Sequence, residues 1–262
     1  MSIISNEQNG DENTKKSVSR SETGHLKNVA NFEDLITFCL NYGSAYNPSN
    51  EAIKIQNLQE LLQSAKEILK KVKSDKTSFD NSVDNRRIAF EEIKPFSTRL
   101  VNSFSVSGAD ELTIQNAKSA LKKIHGVSSK ANKNPSVAPL TEGQEIKRIS
   151  TSQQSYDRLM DHFSEIIEVL SQSSFFNPNE AELKLPALQD KLLNMQTKNT
   201  EVMTAYAPYS TAMLTRDNIL YNKLTGLNYT AQLVKKYIKS VFGAHSREFN
   251  QVSGIEIKKV GR

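Results

Sequence analysis

Few residues in this chain have types and spacings suited to chemistry. Asp161, His162, Glu165 and Glu168 lie in one short stretch. Spacings of three and four residues place side chains on one side of a helix, the way carboxylate-rich bundles hold metal ions. Di-iron bundles, however, draw carboxylates from four helices and use two Glu-x-x-His pairs. Here one pair occurs, in the order His-x-x-Glu. The remaining histidines, His25, His125 and His245, are far apart, and none starts an H-E-x-x-H motif. A single Cys excludes a Cys-rich zinc site. The four residues read as a solvated polar face beside an apolar stripe, and neither a metal nor any other cofactor is expected.

Arg86 and Arg216 stand at the same position in two similar stretches, beside an apolar seam. A buried arginine needs a carboxylate or carbonyl partner, because an unpaired buried charge is costly. The functional reading is an anion or ligand contact. The simpler reading is an interhelical ion pair, or a guanidinium reaching out from the seam edge.

Three basic groups could meet phosphate. They are Lys70, Lys71, Lys73 and Lys76; Lys235, Lys236 and Lys239, interleaved with Tyr237 and Phe242; and Lys258, Lys259 and Arg262. A basic helix face with aromatics can bind nucleic acid. The net charge is +5, from 34 basic and 29 acidic residues. That surplus is spread along the chain, whereas a strong nucleic-acid binder concentrates it. No phosphate-cradling glycine loop and no G-x-S-x-G elbow occurs, so no catalytic residue is assigned and an enzyme is not expected.

The elements that position these residues repeat. Residues 46–86 align with 176–216 at a constant offset of 130 without a gap. Tyr46-Asn47-Pro48 matches Phe176-Asn177-Pro178, Leu58 and Leu62 match Leu188 and Leu192, and Val72 and Arg86 match Val202 and Arg216. A period this long implies a duplicated domain, since solenoid units run to about 50 residues at most.

Each half reads as helical. Phe32, Leu35, Cys39 and Tyr42, and Tyr156, Leu159, Phe163, Ile166 and Leu170, recur at three and four residues. Asn47-Pro48 and Asn177-Pro178 look like an N-cap followed by a first helical residue. A second helix carries Ile55, Leu58, Leu62, Ala65, Leu69 and Val72, repeated by Leu185 to Val202. A third carries Phe79 to Phe104, with breakers at Lys94-Pro95 and Thr225-Gly226. A fourth fits Asp110 to Ile124, and Ser246 to Val252 in the second half. Gly143-Gln-Glu-Ile-Lys-Arg-Ile149 resembles Gly254-Ile-Glu-Ile-Lys-Lys-Val260, and its alternation suggests an extended segment closing each half.

Phe176-Asn-Pro-Asn-Glu-Ala-Glu-Leu-Lys184 and Val234-Lys-Lys-Tyr-Ile-Lys-Ser-Val-Phe-Gly-Ala244 resemble segments of an uncharacterised family of bacterial tandem helical proteins. The resemblance covers both halves but not the N-terminal residues. It implies a bacterial, cytoplasmic, duplicated helical protein, and it carries no activity and no functional residue.

The expected fold is therefore all-α: two tandem antiparallel bundles of about four helices each. An N-terminal arm spans 1–30, the first bundle 31–125, a linker 126–150 and the second bundle 151–262. No stretch is apolar enough to span a bilayer, no secretory signal is evident, and the lone Cys39 sits in an apolar helical pattern. Together these suggest a cytoplasmic location. The expected function is a non-enzymatic structural or interaction protein that binds a protein partner or itself. Nucleic-acid or ribonucleoprotein binding through the Lys-bearing helices is the alternative. Arg86, Arg216, Lys70, Lys71, Lys73, Lys235, Lys236 and Lys239 are the candidate binding residues.

Overall fold

The computed structural model describes residues 20–126 and 154–260. Regular structure among them is entirely helical. The elements are α1 (Arg20–Asn41), α2 (Ile55–Glu91), α3 (Ile93–Ser105), α4 (Glu111–His125), α5 (Tyr156–Ser171), α6 (Leu185–Tyr221), α7 (Leu227–Phe242) and α8 (Arg247–Ser253). No described helix is long and apolar enough to cross a membrane. Apart from Gly126, the expected linker lies outside the described residues, as do Gly143–Ile149, the arm before Arg20 and Arg262.

Helix ends follow local side-chain chemistry. Asp110 caps α4 by accepting from the Thr113 amide at 2.9 Å, and Gly126 closes it in the left-handed region at φ 73°. Ser155 and Ser246 cap α5 and α8 in the same way. Gly226 starts α7, where a Cβ would lie 2.4 Å from the Asn222 backbone nitrogen.

Three expectations are corrected. Residues 20–30 are not an arm but the start of α1, and His25, Asn28 and Val29 are buried there. Their inward face is largely polar, so hydrophobic spacing gave no sign of it. Asn47-Pro48 does not begin a helix. A 3-10 turn at Glu51–Ile53 follows, capped by Asn50, and α2 starts at Ile55. The separate second and third helices are one helix of 37 residues, α2, and likewise α6 in the second half. The polar stretch Lys73–Ser78 thins the apolar seam but contains neither Gly nor Pro, so nothing stops the helix. In α6, Pro208 is accommodated within the helix. The break before α3 falls at Glu92, which leaves Pro95 in the first turn, where its missing N–H matters least.

The helices pack as two compact units. One comprises residues up to Ser74 together with Ser210–Arg262; the other is Asp75–Tyr209. The bundles expected at 31–125 and 151–262 are therefore not the packing units, because each unit draws on both halves of the sequence. In the first unit, Phe32, Leu35, Ile36, Cys39, Leu58 and Leu62 bury against Leu220, Leu227, Ala231, Val234, Ile238 and Val252. In the second, Phe90, Ile93, Leu100, Phe104, Ile114 and Ile124 bury against Leu159, Phe163, Ile166, Leu170, Leu188 and Met195. Heptad spacing specifies which face is buried but not which helix covers it, so the exchange of partners between halves leaves no mark on periodicity.

Candidate functional site

The densest polar network lies in the first unit, where α1 meets the C-terminal part of α6. Arg216 is 7% exposed. Its Nη1 donates to Glu22 Oε1 at 2.6 Å and its Nη2 to Asp217 Oδ1 at 2.7 Å. Further along α1, the Asn28 amide donates to the Tyr221 hydroxyl at 2.9 Å. The same hydroxyl shares a hydrogen bond with His25 Nδ1, 2.7 Å away. Burial and the neighbouring Arg216 guanidinium both hold the His25 pKa below its ordinary value, against the smaller opposing pull of Glu22 and Asp217. Burial also raises the Tyr221 pKa.

The same network reaches the C-terminal segment. Asn28 donates to the Lys258 carbonyl at 2.6 Å and accepts from the Lys258 amide at 3.2 Å. Asn31 donates to the Glu256 carbonyl at 2.6 Å. From the other side, Lys235 Nζ donates to the carbonyls of Ser253 and Ile255. Burial lowers the Lys235 pKa, and the Glu256 carboxylate partly opposes that. Asn28, Asn31 and Tyr221 are absent from the candidates read from sequence. The asparagines lie on α1 and Tyr221 ends α6, no motif joins them, and their partners, a side chain and two backbone carbonyls, lie more than 190 residues away.

Arg86, in the second unit, has a different setting. Its guanidinium carbon lies 4.2 Å from the centre of the Tyr156 ring, and Nη1 donates to Asn199 Oδ1 at 3.3 Å. Asn199 in turn donates to Asp157 at 2.9 Å. The Arg86 Nε is buried without a hydrogen-bond partner. Arg216 is thus held by two carboxylates, Arg86 by an aromatic face and an amide.

The lysines are not gathered into one site. Lys70, Lys71 and Lys73 are exposed on α2, and Lys66 next to them pairs with Glu33 at 2.6 Å. On α7 the expected group divides. Lys235 faces the C-terminal segment, Lys236 is exposed, and Lys239 lies over the Phe249 ring at 5.7 Å. Lys235 is therefore occupied by carbonyl oxygens rather than presented to phosphate.

His162 and Glu165 stand 3.9 Å apart, and Lys123 of α4 pairs with Glu165 at 2.9 Å. His162 is buried, and burial together with Lys123 lowers its pKa. Among the described residues, no group of three or more His, Cys, Asp or Glu side chains is arranged to hold a metal ion.

A further surface lies on α2 and α6 of the second unit. Phe79 stacks on Tyr209 with ring centroids 5.9 Å apart and tilts against Tyr206 at 5.4 Å. Tyr206 is 41% exposed, and Met203, one turn away, 66%. No family model, curated protein or solved structure matches the chain.

Proposed function

We propose that this protein is a non-enzymatic structural or interaction protein, a helical scaffold arisen by duplication that offers a helix face to a protein partner. The observation that carries this reading is the exposed Met203–Tyr206 surface beside the Phe79–Tyr209 stack. Rigid aromatics and adaptable methionines are the side chains that protein interfaces favour. The duplication is supported by the paired elements: 3-10 turns at Glu51–Ile53 and Ala181–Leu183, followed by helices Ile55–Glu91 and Leu185–Tyr221, all offset by 130. A cytoplasmic location belongs to the same proposal and rests on the lone, buried Cys39.

The test is an affinity pull-down from the native host extract with and without nuclease, using the wild-type chain and Met203→Glu/Tyr206→Glu. A protein that survives nuclease and is lost with the double variant supports the proposal. Recovery of nucleic acid or ribonucleoprotein that nuclease abolishes, unaffected by the double variant, favours Lys70, Lys71, Lys73 and Lys236 instead. That result would replace the protein-partner reading.

A further inference from the structure

Two packing solutions close the two units. In the second, helix α4 lies across α3 and α5 and buries Ile114, Ala117, Ala120 and Ile124. In the first, the short helix α8 is followed by an extended stretch, Gly254–Val260, which rests on α1 and α7. The buried registers relate the two. Phe32, Leu35, Ile36 and Cys39 of α1 correspond to Phe163, Ile166, Ile167 and Leu170 of α5. Leu227, Ala231, Val234 and Ile238 of α7 correspond to Ile93, Ser97, Leu100 and Phe104 of α3. On that register Asn28 stands where the second unit has Leu159, and Lys235 where it has Val101.

The substitutions follow from backbone chemistry. A covering helix satisfies its own N–H and C=O groups, so apolar residues suffice beneath it. An extended stretch does not, and each buried backbone group needs a side-chain partner. Asn28 engages both the N–H and the C=O of residue 258, Asn31 the carbonyl of 256, and Lys235 those of 253 and 255. Gly24, one turn before Asn28, leaves room for Val260, whose Cγ2 would lie 2.8 Å from a Cβ there. Ile255 and Ile257 alternate with exposed Glu256 and Lys258 and pack on the core. An open groove of about 170 Å³ remains beside the stretch, lined by Asn228, Gln232 and Lys235. These are the features of a peptide-binding channel: backbone clamps for affinity and alternate apolar seats for selection.

The sequence contains a second segment suited to the same channel. Gly143-Gln-Glu-Ile-Lys-Arg-Ile149 repeats the pattern Gly-x-Glu-Ile-Lys-basic-apolar of Gly254–Val260. It keeps Ile146 in the place of Ile257 and Ile149 in the place of Val260, with Gln144 in the place of Ile255. We propose that the channel between α1 and α7 is a docking site for this sequence pattern, and that Gly143–Ile149 is its second occupant, exchanging with the C-terminal segment. The clamps act on backbone atoms, so either copy satisfies them equally. This inference does not depend on the protein-partner reading above.

The probe is a fluorescein-labelled synthetic peptide of residues 141–151, titrated into the full-length chain and followed by anisotropy. In the wild-type chain the tethered C-terminal segment competes at high effective concentration. Ile257→Ser loosens that segment, Val260→Asp provides a second route should the first variant not fold, and every chain compared also carries Ile146→Asp/Ile149→Asp so that the tethered second copy does not compete. The expected result is saturable binding to a loosened variant at least ten times tighter than to wild type. Adding Asn31→Leu should abolish the gain, and a scrambled peptide should not bind. Absence of binding to both loosened variants overturns the proposal. Equal binding to wild type and variants also overturns it, because the peptide would then sit elsewhere.

Discussion

The two equivalent arginines separate by environment. Removing Arg216 takes away the guanidinium that bridges the partly buried carboxylates of Glu22 and Asp217. Arg216→Met should therefore destabilise by about 2–4 kcal/mol. Arg86→Met gives up a cation–π contact and one long hydrogen bond, but it also removes a buried orphan donor. Its cost should stay below about 1 kcal/mol. Chemical denaturation of the two variants checks this order, and equal losses would contradict it. Cys39 is 1% exposed, and burial pushes its thiol pKa up to about 12. Ellman's reagent should thus leave the native chain unmodified and titrate one thiol after denaturation. The histidines give a pH dependence of defined sign. Folding depresses the pKa of His25 and of His162, so the unfolded chain binds protons more readily at both. Stability should be fully present above the ordinary histidine value near 6.5 and fall as the pH drops below it. The slope is at most about 1.4 kcal/mol per pH unit for each group. Melting curves from pH 7.5 to 5 should show the loss, and His25→Gln/His162→Gln should flatten it. The sequence pointed to both arginines but not to this difference, which is set by Glu22 on a helix whose polar start resembles an unstructured arm.

At the scale of elements, what could be read was whatever depends on near neighbours. The heptad seams of α2 and α6 and the spans of α4 and α8 all rest on residues three or four apart. The lengths of α2 and α6 did not, because a helix ends only where something ends it. Gly226 supplies such an ending. Its missing Cβ lets the chain fold back on Asn222, whose side chain accepts from the Leu224 and Thr225 amides at 2.9 and 3.2 Å. A methyl group at 2.4 Å from backbone has no flexible atom to displace. Gly226→Ala should therefore lower stability by about 1–3 kcal/mol, even though alanine is the better helix former. An unchanged melting temperature would show that the turn relaxes without cost.

At the scale of the molecule, the decisive fact is that neither core belongs to one half of the sequence. Leu58 and Leu62 from the first half share a core with Val234 and Ile238 from the second, and Leu100 and Ile124 share one with Phe163 and Met195. Cutting the chain between 126 and 153 would break no described helix, yet it would divide both cores. Separate chains of residues 1–135 and 136–262 each retain about half of each core, well short of what a cooperative unit needs. Each alone should show reduced helicity and no cooperative thermal transition. Mixed in equal amounts they should recover both, with a midpoint that rises with concentration, since folding and association become one equilibrium. Two independent bundles would behave differently, because each fragment would melt cooperatively alone and mixing would change nothing. Circular dichroism of the two fragments and of their mixture separates these outcomes. It also bears on the proposed duplication, under which a single ancestral half would have needed a second copy of itself to close its cores.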